Sequence, residues 1–205
     1  TDPTITATWE GIRITSGQNN IIENSVFDAE YPVYAISSSE SSGSAYSGYN
    51  NTFINCVFKN STSFAGQRMI YLRDTDATDR PFVNNKFYNC TFAGANTGSM
   101  FSVASTGTHS GNVMTNSIID DIATEYSTQE SNHNFTFTNN LIFSSWTTTI
   151  GTGSINIDPQ LSASFVPQAT FTSIDVAKLT GVDYDKNNSE RADPTTVGAV
   201  MHASE

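Results

Sequence analysis

NIIENSVF (residues 20–27), NTFINCVF (51–58), NKFYNCTF (85–92), NVMTNSII (112–119) and FTFTNNLI (135–142) are five versions of one eight-residue phrase. Their first residues are 31, 34, 27 and 23 positions apart, so the phrase keeps its form while the interval varies. That is the signature of a stacked repeat, with the shortest interval near one minimal coil and the longer ones holding loops. Each version has an apolar third residue (Ile22, Phe53, Phe87, Met114, Phe137) and an apolar eighth (Phe27, Phe58, Phe92, Ile119, Ile142). Apolar and polar residues alternate with period two, and Phe, Ile, Val and Thr abound, so the phrases read as strands. The fifth residue is always asparagine (Asn24, Asn55, Asn89, Asn116, Asn139). Asparagine tolerates the left-handed backbone of a sharp bend. Stacked amides can also pair with one another and satisfy polar groups that would each cost about 1–3 kcal/mol if buried alone. These five are therefore expected to form an asparagine ladder.

Further apolar stretches precede the phrases: GIRI (11–14), VYAI (33–36), MIYL (69–72) and MFSV (100–103). Each is expected to supply another strand of its coil. Coils about 4.8 Å apart, the spacing of paired strands, would build a rod with like side chains stacked inside.

With its opening WEGIRITSGQNNIIENS (9–25), the repeat text resembles the pectate-lyase-like right-handed parallel β-helix superfamily of secreted bacterial repeat proteins, in its C-terminal portion. IDPQL (157–161) and TGVDYDKNNSERADPTTVGAV (180–200) are similar to the closing segment of such proteins, with Lys186 and Asn187 where glycine is common and Val200 where an aromatic is common. The resemblance implies an all-β, right-handed parallel β-helix of about five to six coils. The coils would occupy 1–156 and a C-terminal cap of the same domain 157–205. It also implies an association with carbohydrate, outside the cell or on its surface.

Composition narrows the partners. Only 14% of residues are charged and the net charge is −11, so a nucleic acid would be repelled. No apolar run approaches the roughly 18 residues of a membrane span. The first residue is threonine and the first segment already reads as strand, so the chain is expected to continue a longer parent. Cys56 and Cys90 give neither a disulfide framework nor zinc spacing. Both hold the sixth position of adjacent phrases and are expected to be stacked, buried thiols.

The densest charge lies in GQRMIYLRDTDATDR (66–80). Arg68, Arg73, Asp74, Asp76, Asp79 and Arg80 fall on a strand end and a long loop, where a rigid scaffold carries binding groups. The arginines suit a sugar carboxylate, and Asp74, Asp76 and Asp79 are candidate Ca²⁺ ligands without EF-hand spacing. Asp120 and Asp121 are candidates for the paired carboxylates of a glycosidase. Polygalacturonase-like relatives carry N-T-D, D-D, G-H-G and R-I-K, of which only D-D stands here. Tyr46 and Tyr49, in a Ser- and Gly-rich stretch, are candidates to stack on sugar rings. The histidines have no ligand spacing.

With lyase and hydrolase motifs unmatched, the expected function is a non-catalytic structural or glycan-binding module of a secreted or cell-surface bacterial protein that needs no cofactor. The alternatives are a polysaccharide lyase or glycoside hydrolase acting on an acidic polysaccharide, with catalytic candidates Arg68, Arg73, Asp120 and Asp121 and with Ca²⁺ if a lyase, or a segment of a phage tail-spike-like fibre.

Overall fold

A computed structural model describes residues 10–29, 34–39, 46–60, 68–73, 81–94, 98–104, 109–126, 134–143, 151–162, 175–176 and 195–196. The first pass of the chain holds β1 (Glu10–Thr15), β2 (Gly17–Gln18), β3 (Ile21–Glu23) and β4 (Val26–Ala29). The second holds β5 (Tyr34–Ser39), β6 (Gly48–Tyr49), β7 (Thr52–Ile54) and β8 (Val57–Asn60). The third holds β9 (Arg68–Arg73), β10 (Phe82–Val83), β11 (Lys86–Tyr88) and β12 (Thr91–Ala93). β13 (Ser99–Ala104), β14 (Asn112–Thr115) and β15 (Ile118–Asp120) follow, then β16 (Thr124–Tyr126), β17 (Phe135–Thr138) and β18 (Leu141–Phe143). In the tail, β19 (Asp175–Val176) pairs antiparallel with β20 (Thr195–Thr196).

Strands that hold the same place in successive passes pair with one another in parallel. Sheet 1 runs β1-β5-β9-β13-β16, sheet 2 β2-β6-β10, sheet 3 β3-β7-β11-β14-β17, and sheet 4 β4-β8-β12-β15-β18. Among the described residues the chain is all strand, without helix, and it visits these parallel sheets in one recurring order, consistent with a parallel β-helix.

The third and eighth positions of the phrase form the interior. Ile22, Phe53, Phe87, Met114 and Phe137 make one column in register, and Phe27, Phe58, Phe92, Ile119 and Ile142 another. The strand spacing sets the ring spacing. Phe53 stacks on Phe87 at 4.6 Å and 2°, and Phe58 on Phe92 at 4.9 Å and 14°. Within a pass the columns meet edge-on, as at Phe53 and Phe58, 6.0 Å apart.

All five fifth-position asparagines adopt left-handed backbone, with φ from 50° to 53° or 54°, so the expected bend is there. A second bend precedes each phrase at Asn19, Asn50, Asn84, Gly111 and Asn134, also at positive φ. At Gly111 a Cβ would collide with the Asn84 side-chain oxygen.

The main ladder differs from the expectation. Of the fifth-position amides, Asn55 Nδ2 donates to Asn24 Oδ1 at 3.1 Å, whereas Asn89 buries both polar side-chain atoms without a hydrogen-bond partner. The continuous ladder is formed by the first-position residues Asn20, Asn51, Asn85 and Asn112. Asn51 Oδ1 accepts from Asn20 N (3.1 Å) and Nδ2 (2.8 Å). Asn85 Oδ1 accepts from Asn51 N (3.0 Å) and Nδ2 (2.9 Å), and Asn112 Oδ1 from Asn85 N (3.0 Å) and Nδ2 (3.1 Å). The bend before the phrase interrupts backbone pairing, and the amide oxygen takes the place of the missing carbonyl for the first-position N–H. Phe135, in register with Asn112, ends the ladder.

A second polar column occupies the sixth position. Ser25, Cys56, Cys90 and Ser117 each donate to the carbonyl two residues earlier, and Cys90 N, Ser117 N and Asn140 N donate in turn to Ser117 Oγ, Asn140 Oδ1 and Ser154 Oγ. Cys56 and Cys90 are buried free thiols, as expected from their position. Ser154 belongs to a shortened pass that the sequence did not disclose. Thr152 and Ile155 form parallel bridges with Thr138 and Leu141, and Gly153 takes the left-handed bend.

Candidate functional site

Of the charged stretch, β9 carries Arg68 at its first position and Arg73 at its last. Five residues of strand separate their Cα atoms by about 16 Å, so the two arginines do not form one clamp. Arg68 is half-buried, its guanidinium carbon 5.6 Å from the centre of the Tyr71 ring, a cation–π contact. Asp74, Asp76, Asp79 and Arg80 lie outside the described residues. Among the described residues, no group of three or more His, Cys, Asp and Glu side chains is placed to hold a metal ion.

Tyr46 and Tyr49 come together. Their rings stack at 4.6 Å and 25°, both half-buried. Tyr49 sits in sheet 2, in register between Gln18 and Val83, and Gly48 beside it gives room to Phe82, whose ring a Cβ at Gly48 would meet at 2.6 Å. The pair thus rests on the scaffold, although its sequence neighbourhood reads as loop.

Among the described carboxylates, Asp120 at the end of β15 has the most perturbed environment. Asp120 is half-buried, and its carboxyl is pushed up to about 7, first by burial and then by the negative charges of Asp121 and Asp158. Asp121 occupies a left-handed bend (φ 54°) and donates its N–H to Phe143 O at 3.0 Å. Gly94 packs against this corner, where a Cβ would approach Asp121 O to 2.5 Å. Asp158 is exposed and accepts the N–H of Gln160 at 2.7 Å, closing a turn at Asp-Pro-Gln. Asp120 and Asp121 were legible as candidates, but Asp158, 37 positions further on, carried no sequence signal linking it to them.

The position of Asp120 has a pH consequence. Its carboxyl is raised above the unfolded value of about 3.9, so the fold binds a proton that the unfolded chain has released. The contribution to stability is therefore greatest below about pH 4, declines as the pH rises, and levels off above about 7. With solvent screening of a partly exposed group, the loss is about 1–2 kcal/mol. Asp120→Asn should melt higher than the parent at pH 8 and equally near pH 4, as thermal denaturation at the two pH values will read.

The two thiols are packing groups. Burial pushes the Cys90 thiol well up, and both side chains are fully enclosed. In register, Asp28, Lys59, Ala93, Asp120 and Phe143 share one column of sheet 4. His109 is buried, its Nδ1 accepting the N–H of Phe82 at 2.9 Å, so it serves the scaffold. Comparison with protein-family models, curated proteins and solved structures produced no match.

Proposed function

We propose that the chain is a right-handed parallel β-helix of the pectate-lyase-like type, with about five to six coils and a C-terminal cap over 157–205, and that it serves as a non-catalytic, glycan-binding module of a secreted or cell-surface bacterial protein. The observation that carries the reading is the Tyr46–Tyr49 pair, two stacked rings held by the scaffold next to the exposed Gln18. Such rings offer apolar area with polar edges, the chemistry that receives a sugar ring. The repeat absorbs many of the Asn and Phe residues into ladders and core, and this pair stands outside the core cluster. The net charge of −11 disfavours acidic polysaccharides, so neutral glycans are the first class to screen. Affinity electrophoresis and glycan arrays are expected to detect a ligand whose binding falls at least about tenfold in Tyr46→Ala and Tyr49→Ala, the loss of one ring contact. Binding that survives both substitutions would remove the aromatic pair from the proposal.

A second reading, a glycoside hydrolase, is favoured by Asp120. A carboxyl that keeps its proton to about pH 7 beside two other carboxylates has the protonation state of a general acid. Reducing-end release from neutral and uronate-containing polysaccharides, abolished in Asp120→Asn, is its expected signature. Screening for ultraviolet-absorbing unsaturated products, with and without Ca²⁺, tests the lyase alternative. Silence in both assays returns the chain to the binding reading.

A further inference from the structure

The bend ahead of the phrase carries exposed amides next to the tyrosine pair. Gln18 and Tyr49 are in register in sheet 2, and Asn19 and Asn50 follow them at the left-handed bend, with φ of 57° and 54°. Ser47, Gly48 and Asn51 are buried on the inner side of this corner, which leaves Tyr46, Tyr49 and Asn50 on its outer side. Gln18, Asn19 and Asn50 are exposed, while the two rings are half-buried.

One hydrogen bond fixes what the bend amides offer. Asn50 Nδ2 donates to Asn19 Oδ1 at 2.8 Å. The bond orients both side chains and leaves Asn19 Nδ2 as a donor and Asn50 Oδ1 as an acceptor, on passes about 4.8 Å apart. It is not repeated at the third pass, where Asn84 Oδ1 lies against Gly111, in the space that a Cβ there would need. Asn50 Oδ1 therefore keeps its acceptor capacity beside Tyr49. The inner asparagine of the same corner is used on both sides: Asn51 Oδ1 accepts from Asn20 Nδ2, and its Nδ2 donates to Asn85 Oδ1 and Gly17 O. Burial closes the inner amide to a ligand, and exposure opens the outer pair.

We infer that Asn19 and Asn50 are the specificity residues of the glycan site, taking two neighbouring hydroxyls of a sugar ring that lies on the Tyr46–Tyr49 pair. The inference rests on the glycan-binding reading and adds the ligand class to it: an uncharged polysaccharide whose sugars keep an unsubstituted vicinal diol. A hydroxyl both donates and accepts, so a diol answers one donor and one acceptor. A carboxylate or sulfate only accepts, and would be set against Asn50 Oδ1. The amides of Gln18, Asn19 and Asn50 carry no formal charge to offset an anion, and the net charge of −11 adds repulsion. Stacking on tyrosine reads an apolar ring face, so discrimination between sugars falls to the amides.

Affinity electrophoresis tests this with three soluble polysaccharides: galactomannan and xylan, whose backbone sugars keep two neighbouring hydroxyls, and laminarin, whose backbone sugars do not. Retardation is expected on galactomannan or xylan. It should be at least about tenfold weaker on laminarin, and on the same polysaccharide after periodate has cleaved its vicinal diols. Asn19→Gly and Asn50→Gly keep the left-handed backbone and should each weaken binding about tenfold, with the melting temperature within about 4 °C of the parent. Asn19→Asp keeps the size and exchanges the outward donor for an acceptor, so it should lose as much. Binding that falls in Tyr46→Ala and Tyr49→Ala but is unchanged in the three asparagine variants overturns the assignment of the amides and leaves the glycan reading standing. Equal binding to native and periodate-treated polysaccharide, or retardation by none of the three, overturns the proposed ligand class. Binding that survives both tyrosine substitutions is the failure of the glycan reading itself, and takes this inference with it.

Discussion

Asn85→Leu is expected to cost about 3–5 kcal/mol, with a lower urea midpoint and an unchanged slope. The side chain is fully buried and occupied on every side. Its Oδ1 accepts from Asn51 N and Nδ2, and its Nδ2 donates to Asn112 Oδ1, Gly48 O and Val83 O. Leucine matches its volume closely but takes away the only acceptor of the Asn51 backbone N–H and weakens the coverage of two further groups. A buried donor left without a partner bears its whole desolvation cost, which is why the loss exceeds the net worth of the hydrogen bonds. Asn20→Leu is the internal control. That residue is exposed at the end of the same ladder, water can serve the freed groups, and the change should stay within about 1 kcal/mol. Equal losses at the two positions would refute the claim that burial of the ladder, and not the amide itself, sets its value.

A comparable loss is expected from Phe87→Ala, about 3–5 kcal/mol in the same unfolding measurement. Phe87 is completely buried, lies flat on Phe53 at 4.6 Å, and meets Phe92 at 6.0 Å and Phe135 at 5.8 Å. Removing the ring opens a cavity in a column whose spacing is held by backbone hydrogen bonds, so neighbouring passes cannot close over it. Phe27→Ala removes a ring that stacks on Phe58 at 4.9 Å but is only partly covered, and about half the loss or less should follow. The contrast reads the stacking directly: in a repeat array an interior residue supports contacts on both sides and a terminal one on a single side.

The strands that carry the fold were open to reading because their signal is periodic. GIRI, MIYL and MFSV fall within β1, β9 and β13, the last three residues of VYAI open β5, and the third and eighth positions of the phrase make two interior columns. What escaped was short or singular. The two-residue strands of sheet 2 are too brief to show a period, β16 has the unremarkable text TEY, and the pass through Gly153 and Ser154 lacks the asparagine that marks the others. Of the candidate site, Tyr46 and Tyr49 were legible as aromatics in a polar stretch, but their mutual stacking was not. Arg68 and Arg73 were legible as candidate carboxylate-binding groups, but their places at opposite ends of one strand were not.

The asparagines divide most clearly between the two sources of information. The recurrence of asparagine at the fifth position, together with the left-handed tolerance of that residue, determined where the chain bends, since backbone preference is a local property. Which amides share hydrogen bonds was decided only by the tertiary structure. The first-position N–H has no backbone acceptor once the strands are stacked, so Asn20, Asn51, Asn85 and Asn112 take the ladder, while buried Asn89 turns a corner with its amide unpaired. The meeting of Asp120 with Asp158 is of the same kind. The Asp158 carboxylate, far along the chain, raises the Asp120 carboxyl only after the chain is folded, and no pattern along the chain encodes that distance.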